Sequence, residues 1–252
     1  MLDTGQPLPD TGSQHSGPML LGMRLSQRLL EEEVPLMDEI RERLLAMSEA
    51  ASKGDDPLSW FEELYSSANR DEEWIPWSDG RPNPLVVEWA VGKSTKGRAL
   101  VVGCGLGEDA VFLEQQGWDV TAFDLSATAV EWAKEQHPNS KIEWLVADLL
   151  NLPEEWGESF DLVLEVHIIQ ALPESIRILA ASRLSPLVSS GGCLVCIGRY
   201  QTGREVEEGP PWPLPRLFIE SIGENLEMDE FEISSLPDDE PEVSRFRAVW
   251  RA

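Results

Sequence analysis

The sequence predicts a doubly wound α/β fold with a mostly parallel sheet, and three features predict it. From Arg98 onward, short apolar runs alternate with amphipathic stretches, the pattern of repeated strand and helix units. A glycine-rich turn, Gly103-Cys104-Gly105-Leu106-Gly107, directly follows the first run, and Asp124 closes the second. In open α/β sheets ligands bind beyond the carboxyl ends of the strands, so that turn and that carboxylate belong to one edge.

Residues 1 to about 20, rich in Gly, Pro, Ser, Thr and Asp with few apolar anchors, predict a disordered lead-in. Residues 21–97 predict a helical N-terminal extension placed to cover one face of the main domain as a lid. Leu36, Ile40, Leu44 and Met47 recur at helical spacing, and Trp60, Phe61 and Leu64 indicate a second short helix after the break at Lys53-Gly54-Asp55-Asp56-Pro57. Residues 98–252 predict the sheet domain. Ala99–Val102, Asp119–Phe123, Ile142–Val146, Leu162–Leu164 and Leu194–Ile197 read as strands. Ser126 is placed to cap a helix carrying Ala129, Val130 and Ala133, and Ile176, Leu179, Leu184 and Leu187 are expected on one face of another. Pro215–Ile222 reads as helix. Phe231–Ser235 and Arg245–Trp250 then read as an antiparallel edge hairpin joined by the acidic stretch Leu236–Glu242, which brings the expected sheet to seven strands.

A chain of 252 residues with 42% hydrophobic residues can bury one sizeable core. Its 46 acidic against 20 basic side chains leave a formal net charge of -26. Affinity for a phosphate backbone comes largely from Lys and Arg displacing counterions, so nucleic acid is an unfavoured partner and a small-molecule substrate the expected one. No run of about 18 apolar residues occurs, and the start lacks the basic and apolar regions of a secretory signal. A cytoplasmic protein with no membrane partner is expected. Cys193 and Cys196 form a C-x-x-C inside an apolar run, where strand spacing sends them to opposite faces, so core packing rather than redox or zinc chemistry is expected, and no metal.

Glycines let the chain turn tightly and let a ligand approach the backbone, and a carboxylate at the end of the next strand, about twenty residues on, can accept hydrogen bonds from both ribose hydroxyls. Together they point to a nucleoside site. A dinucleotide fingerprint G-x-G-x-x-G would need glycine at 108, where the chain has Glu108, with the third glycine one residue early at Gly107. An acid there is a poor neighbour for pyrophosphate, whereas a sulfonium nucleoside without phosphate tolerates it. The departure argues for S-adenosylmethionine over NAD.

The sequence resembles the class I S-adenosylmethionine-dependent methyltransferases, and within them the group holding the thiopurine and the plant halide/thiol methyltransferases. The resemblance spans about Trp74 to Tyr200 and rests on Pro76-Trp77-Ser78-Asp79-Gly80-Arg81-Pro82-Asn83-Pro84, Val102-Gly103-Cys104-Gly105, Phe123-Asp124-Leu125-Ser126, Ala147-Asp148-Leu149 and Phe160-Asp161-Leu162-Val163, with weaker echoes in Gly209-Pro210-Pro211. It implies a Rossmann-like sheet and S-adenosylmethionine as cofactor. Most class I members put an acid where Val101 stands, which this group often does not. By the resemblance, Gly103 and Gly105 lie against the methionine part, Asp124 holds the ribose, and Asp148 with Leu149 contacts the adenine. Gly107, Leu125, Ala147 and Glu165 complete the expected cofactor-contacting set together with Trp74 and Trp77. Asp148 also has a bottom-up reading as a turn or helix cap.

Glu165, Val166 and His167 follow the fourth strand at the same edge and are candidates to shape the acceptor pocket. Glu165 and His167 are the candidate catalytic side chains, His167 as a general base because an unperturbed imidazole titrates near neutral pH. A histidine packed at a strand end is the alternative, and a thiolate or halide acceptor needs no base, since positioning carries such a reaction. A tryptophan face attracts a cation, so Trp74 or Trp77 beside the sulfonium would bind it and exclude water; core packing is the competing role. Trp212 after Gly209-Pro210-Pro211 superficially resembles a Pro-Pro-aromatic motif of amino-group methylation, but that motif belongs directly after the fourth strand. The expected function is methyl transfer from S-adenosylmethionine to a small nucleophile such as a thiol or halide. The alternatives are a nucleoside-binding module without transfer activity or an NAD-dependent oxidoreductase. The acceptor's identity and the oligomeric state stay open.

Overall fold

The computed structural model describes residues 39–93, 96–203, 209–237, 239–241 and 243–252. The expected lead-in, and Leu36 of the first expected helix, lie outside the described residues, as do two positions of the acidic connection 236–242. The chain divides into two compact units, Met1–Arg41 and Glu42–Ala252. Residues 39–41 of the first are helical. The second holds the sheet and every residue of the candidate site.

In that second unit residues 42–52 are helical (α1), followed by α2 (Ser59–Ala68) and α3 (Pro84–Ala90). Asn83 and Pro84 explain why α3 starts where it does. The Asn83 side chain accepts the Leu85 N–H, and proline at the first helical position loses no helical hydrogen bond. Then come β1 (Arg98–Val102), α4 (Glu108–Gln115), β2 (Asp119–Asp124), α5 (Ala127–Gln136), β3 (Glu143–Val146), β4 (Phe160–Val166), α6 (Glu174–Ala181), β5 (Val188–Arg199), α7 (Arg216–Ile222), β6 (Glu227–Ser234) and β7 (Arg245–Arg251). The sheet order is β3-β2-β1-β4-β5-β7-β6, parallel from β3 to β5, with β7 antiparallel to both β5 and β6. The seven-stranded, mostly parallel sheet with an antiparallel edge pair is therefore as expected.

Strand alternation divides the core. Ala99, Val101, Leu162, Leu164 and Val195 face one side with α3, α4 and α5, while Leu100, Val102, Val163, Leu194 and Trp250 face the other with α6 and α7. Each fully buried large apolar side chain contributes on the order of 1.5–3 kcal/mol. Cys193 falls in the first cluster and Cys196 in the second, the opposite-face packing that strand spacing predicts. Ser126 caps α5 as expected, its side chain accepting the Ala129 N–H at 3.0 Å.

Two local expectations are corrected. β5 runs twelve residues, far longer than Leu194–Ile197, because its first residue pairs with Phe160 across a register shift before the apolar run begins. The helix expected to carry Ile176, Leu179, Leu184 and Leu187 on one face ends at Ala181. Leu184 and Leu187 are buried from the following turn and a short 3-10 helix, Ser185–Leu187, whereas Leu179 is exposed. Pro186 lacks the N–H that a continuing helix needs there.

Candidate functional site

The turn after β1 is held to β2 beyond the strand's own end, since Cys104 donates its N–H to the Phe123 carbonyl at 2.8 Å. Gly103, Gly105 and Gly107 have φ of +60°, +53° and +93°, a left-handed run that side chains rarely adopt. Their surroundings separate their roles. A carbon added at Gly103 would run into the Ile168 side chain, and one added at Gly105 would lie 3.0 Å from Tyr65 Oη and 3.9 Å from Trp77 Nε1. One added at Gly107 would strike the Trp144 ring. Gly107 precedes α4 as its cap residue and serves close packing, while Gly103 and Gly105 present bare backbone towards side chains of other segments.

Asp124 ends β2 and is 7% exposed. Its Oδ2 accepts the Gly105 N–H and its Oδ1 the Ser126 N–H, both at 2.9 Å. Burial raises its carboxyl above the ordinary carboxylate range, against those backbone donors. The Leu125 backbone acts on the same carboxylate, which with about four lone-pair sites keeps acceptor capacity to spare. Next in the chain, Leu125 is exposed, and the Ala147 N–H donates to the Asp124 carbonyl at 3.0 Å, fastening the end of β3 alongside. Asp148 Oδ1 caps the 3-10 helix Leu149–Asn151 by accepting the Leu150 N–H at 2.9 Å. Asp148 Oδ2 is not engaged in that cap.

A cleft runs along this edge. Gly103, Asp124, Leu125, Ala147, Asp148 and Leu149, six of the expected cofactor-contacting residues, line it. So do Leu58, Phe61, Val102, Phe123, Leu150, Ile168, Leu172, Ile176 and Ala180. The lining is apolar apart from two carboxylates and carries no Lys or Arg.

The two candidate tryptophans part company. Trp77 is 39% exposed, donates its indole N–H to Tyr65 Oη at 2.8 Å, and meets Trp60 and Tyr65 edge-on. Trp74 packs against the cluster of Leu44, Trp60, Leu64 and Tyr65, with the Arg43 guanidinium 5.1 Å from its ring centre. Trp77 therefore reaches the glycine turn, whereas Trp74 spends its face on a cation of the chain itself.

Glu165 is 1% exposed. Its Oε1 accepts the N–H groups of Ile168 (2.6 Å) and Ile169 (3.0 Å), and its Oε2 lies 2.8 Å from Cys196 Sγ. Burial raises both carboxyl and thiol, and the carboxylate shapes the segment after β4 from inside. His167 has φ of +65°, and its Nε2 lies 3.1 Å from Nη1 of Arg245, whose Nη2 is paired with Asp239 Oδ1 at 2.6 Å. Burial, then the neighbouring Arg245 charge, pushes the imidazole down to about 4. It is neutral at pH 7, and a base that weak removes few protons.

Sequence reasoning passed over several residues of this edge. Glu62 of α2 takes Ser126 Oγ at 2.6 Å and Thr128 Oγ1 at 2.5 Å, joining α2 to the start of α5 beside Asp124. Phe61 was read only as a helix residue, Tyr65 not at all, and Ile168, Leu172 and Ile176 enter the cleft from beyond β4. For Ile168, Leu172 and Ile176 the available signal was position, because whatever follows a parallel strand's carboxyl end stands at the ligand edge, whereas α2 precedes the sheet and carries no such signal.

A family model described as a methyltransferase domain matches residues 99–192. "Probable thiol methyltransferase 2" of Arabidopsis thaliana is 33% identical over 141 residues, which cover 52% of this chain and 62% of that protein. "Thiocyanate methyltransferase 1" of the same plant is 31% identical over 159 residues, covering 60% of this chain and 67% of that protein. The chain thus spans roughly two thirds or less of the length of these curated relatives. Among solved structures, the N-methyltransferase NodS from Bradyrhizobium japonicum WM9 in complex with S-adenosyl-l-homocysteine superposes with a TM-score of 0.58 at 18% identity, over 75% of this chain and 97% of that one. At that identity the likeness is one of fold.

Proposed function

The chain belongs to the class I S-adenosylmethionine-dependent methyltransferases, and on that premise we propose that it transfers the methyl group of S-adenosylmethionine to a thiol-type small molecule. The observation that carries this reading is Asp124. A buried carboxylate that fixes the glycine turn and keeps acceptor capacity to spare lines the cleft beside a backbone turn and an apolar wall. That donor and acceptor set fits a nucleoside with two ribose hydroxyls. A lining without Lys or Arg fits a cofactor without phosphate better than a dinucleotide. The names of the relatives support a soft sulfur acceptor.

In this reading Asp124 holds the ribose, Leu125 and Leu149 flank the base, Asp148 Oδ2 and nearby backbone N–H groups recognise its edge, and Gly103 and Gly105 pass under the methionine portion. When bound, S-adenosylmethionine supplies a methyl carbon activated by a positive sulfur. The chain's own work is to orient that carbon and exclude water, with Trp77 as an aromatic wall. Glu165 supports the segment that carries Ile168 over Gly103, and His167, a weak base with its Nε2 against Arg245, is assigned no proton transfer. No helix among the described residues is long and apolar enough to cross a membrane. The acidic charge supports action on small molecules and not on nucleic acid, and three cysteines, an odd and small number that gives no disulfide framework, support a cytoplasmic protein.

Incubation with methyl-labelled S-adenosylmethionine and a panel of thiols, thiocyanate and halides, read by mass spectrometry, tests the proposal. A labelled methyl thioether is expected. Cofactor binding without any methylated product across the panel would instead leave a nucleoside-binding module.

A further inference from the structure

The hydroxyl of Tyr65 stands where the glycine turn is barest. Tyr65 lies on α2 and is 2% exposed, yet its oxygen is the first atom that a side chain at Gly105 would meet, at 3.0 Å. Its one hydrogen bond among the described residues is from Trp77 Nε1, at 2.8 Å, in which the tyrosine oxygen is the acceptor. A phenol has one hydrogen to give. Because the indole N–H occupies the oxygen as a donor, that hydrogen remains for an acceptor on the side of the turn. Burial and the nearby Asp124 charge raise the phenol well above its usual range, so the hydrogen is present at every physiological pH.

On the cofactor reading above, we propose that Tyr65 is a cofactor-binding residue that donates its hydroxyl hydrogen to the carboxylate of the methionine portion, with Trp77 as the positioning residue that orients the phenol. The carboxylate is the acceptor because the tyrosine oxygen already takes a hydrogen from Trp77, so it is poorly placed to receive one from the ammonium group as well. The arrangement also gives Trp77 a role separate from its face: its N–H sets the direction of a hydrogen bond, while its ring borders the turn.

Calorimetric titration separates these claims. S-Adenosylhomocysteine carries the amino-acid end but no positive sulfur, and 5′-methylthioadenosine carries the nucleoside without that end. Tyr65→Phe is expected to weaken S-adenosylhomocysteine about tenfold to a hundredfold, the effect of a hydrogen bond to a charged group, and to leave 5′-methylthioadenosine within about twofold. Unchanged binding of both ligands, or equal weakening of both, overturns the proposal. Trp77→Phe keeps an aromatic ring but removes the N–H. It is expected to weaken S-adenosylhomocysteine severalfold and selectively, and it decides the question should Tyr65→Phe fail to fold. There too, unchanged or equal effects on the two ligands overturn the proposal. A wild-type protein that binds neither ligand overturns the cofactor reading itself and this proposal with it.

Discussion

Gly105 donates its backbone N–H to Asp124 Oδ2 at 2.9 Å. The turn after β1 and the carboxylate ending β2 are therefore one hydrogen-bonded unit, and through the Ser126 N–H the same carboxylate holds the entry to α5. A ligand gripped by Asp124 acts on a group that already fixes the turn beneath it.

Asp124→Ala is accordingly expected to do more than remove ribose contacts. Two buried backbone N–H groups lose their acceptor, at a cost of about 1–3 kcal/mol each, so both melting temperature and affinity should fall. Asp124→Asn retains an acceptor oxygen and should recover part of the stability but little of the affinity. Calorimetry and thermal unfolding on both variants check this; a folded Asp124→Ala protein with wild-type cofactor affinity would falsify the ribose assignment.

Trp77 and Trp74 should respond differently to alanine. Loss of Trp77 removes an aromatic wall worth about 0.5–2 kcal/mol towards a cation, up to roughly thirtyfold in S-adenosylmethionine affinity. Trp74→Ala should lower the melting temperature while leaving that affinity near normal, because its ring faces Arg43. A reversed pattern would sink the distinction drawn between them.

Gly107→Ala pairs a φ of +93° with a collision against Trp144. A loss of about 1–3 kcal/mol in stability is expected, seen in urea unfolding, with S-adenosylhomocysteine affinity unchanged in the folded fraction. Direct cofactor contact at Gly107 predicts weakened binding instead.

Asp109 accepts the Asn83 N–H at 2.7 Å, and burial raises its carboxyl to about 7. The folded protein keeps a proton there that the unfolded chain releases near pH 4, so this group's contribution to stability falls as pH rises from about 4 to 7. Asp109→Asn keeps an oxygen for Asn83 without the charge. It should raise stability by about 2–4 kcal/mol at pH 8, and barely at pH 4. Equal gains at both pH values would show that titration is not the cause.

His167 works in the opposite sense. Its folded pKa of about 4 lies below the unfolded value near 6.5, so the unfolded chain binds the extra proton, and stability is lost as pH falls from about 6.5 to 4, by roughly 3 kcal/mol in all. His167→Gln should flatten that part of the stability curve. Methyl transfer by His167→Gln should keep the wild-type pH profile between 6 and 8, since the imidazole does not titrate there. Loss of an activity limb near pH 6.5 in the variant would restore His167 as a general base.

What the sequence determined by itself is what short stretches encode. Short apolar runs marked the strands, Ser126 marked the start of α5, and a glycine turn followed by Asp124 marked the ligand edge, because each signal sits within one strand or turn and its neighbours. Tertiary structure alone decided what each polar group at that edge is free to do. Glu165 and Asp124 stand at the carboxyl ends of β4 and β2, the two strands that flank β1, and look equivalent in the chain. Folding turns Glu165 inward onto Ile168, Ile169 and Cys196, and leaves Asp124 lining the cleft. Trp74 and Trp77 stand three positions apart, yet Arg43 claims one and Tyr65 brings the other to Gly105. Hydrogen bonds and ring contacts depend on separations of a few ångströms between segments distant in sequence, and those separations are set by how the helices pack on the sheet.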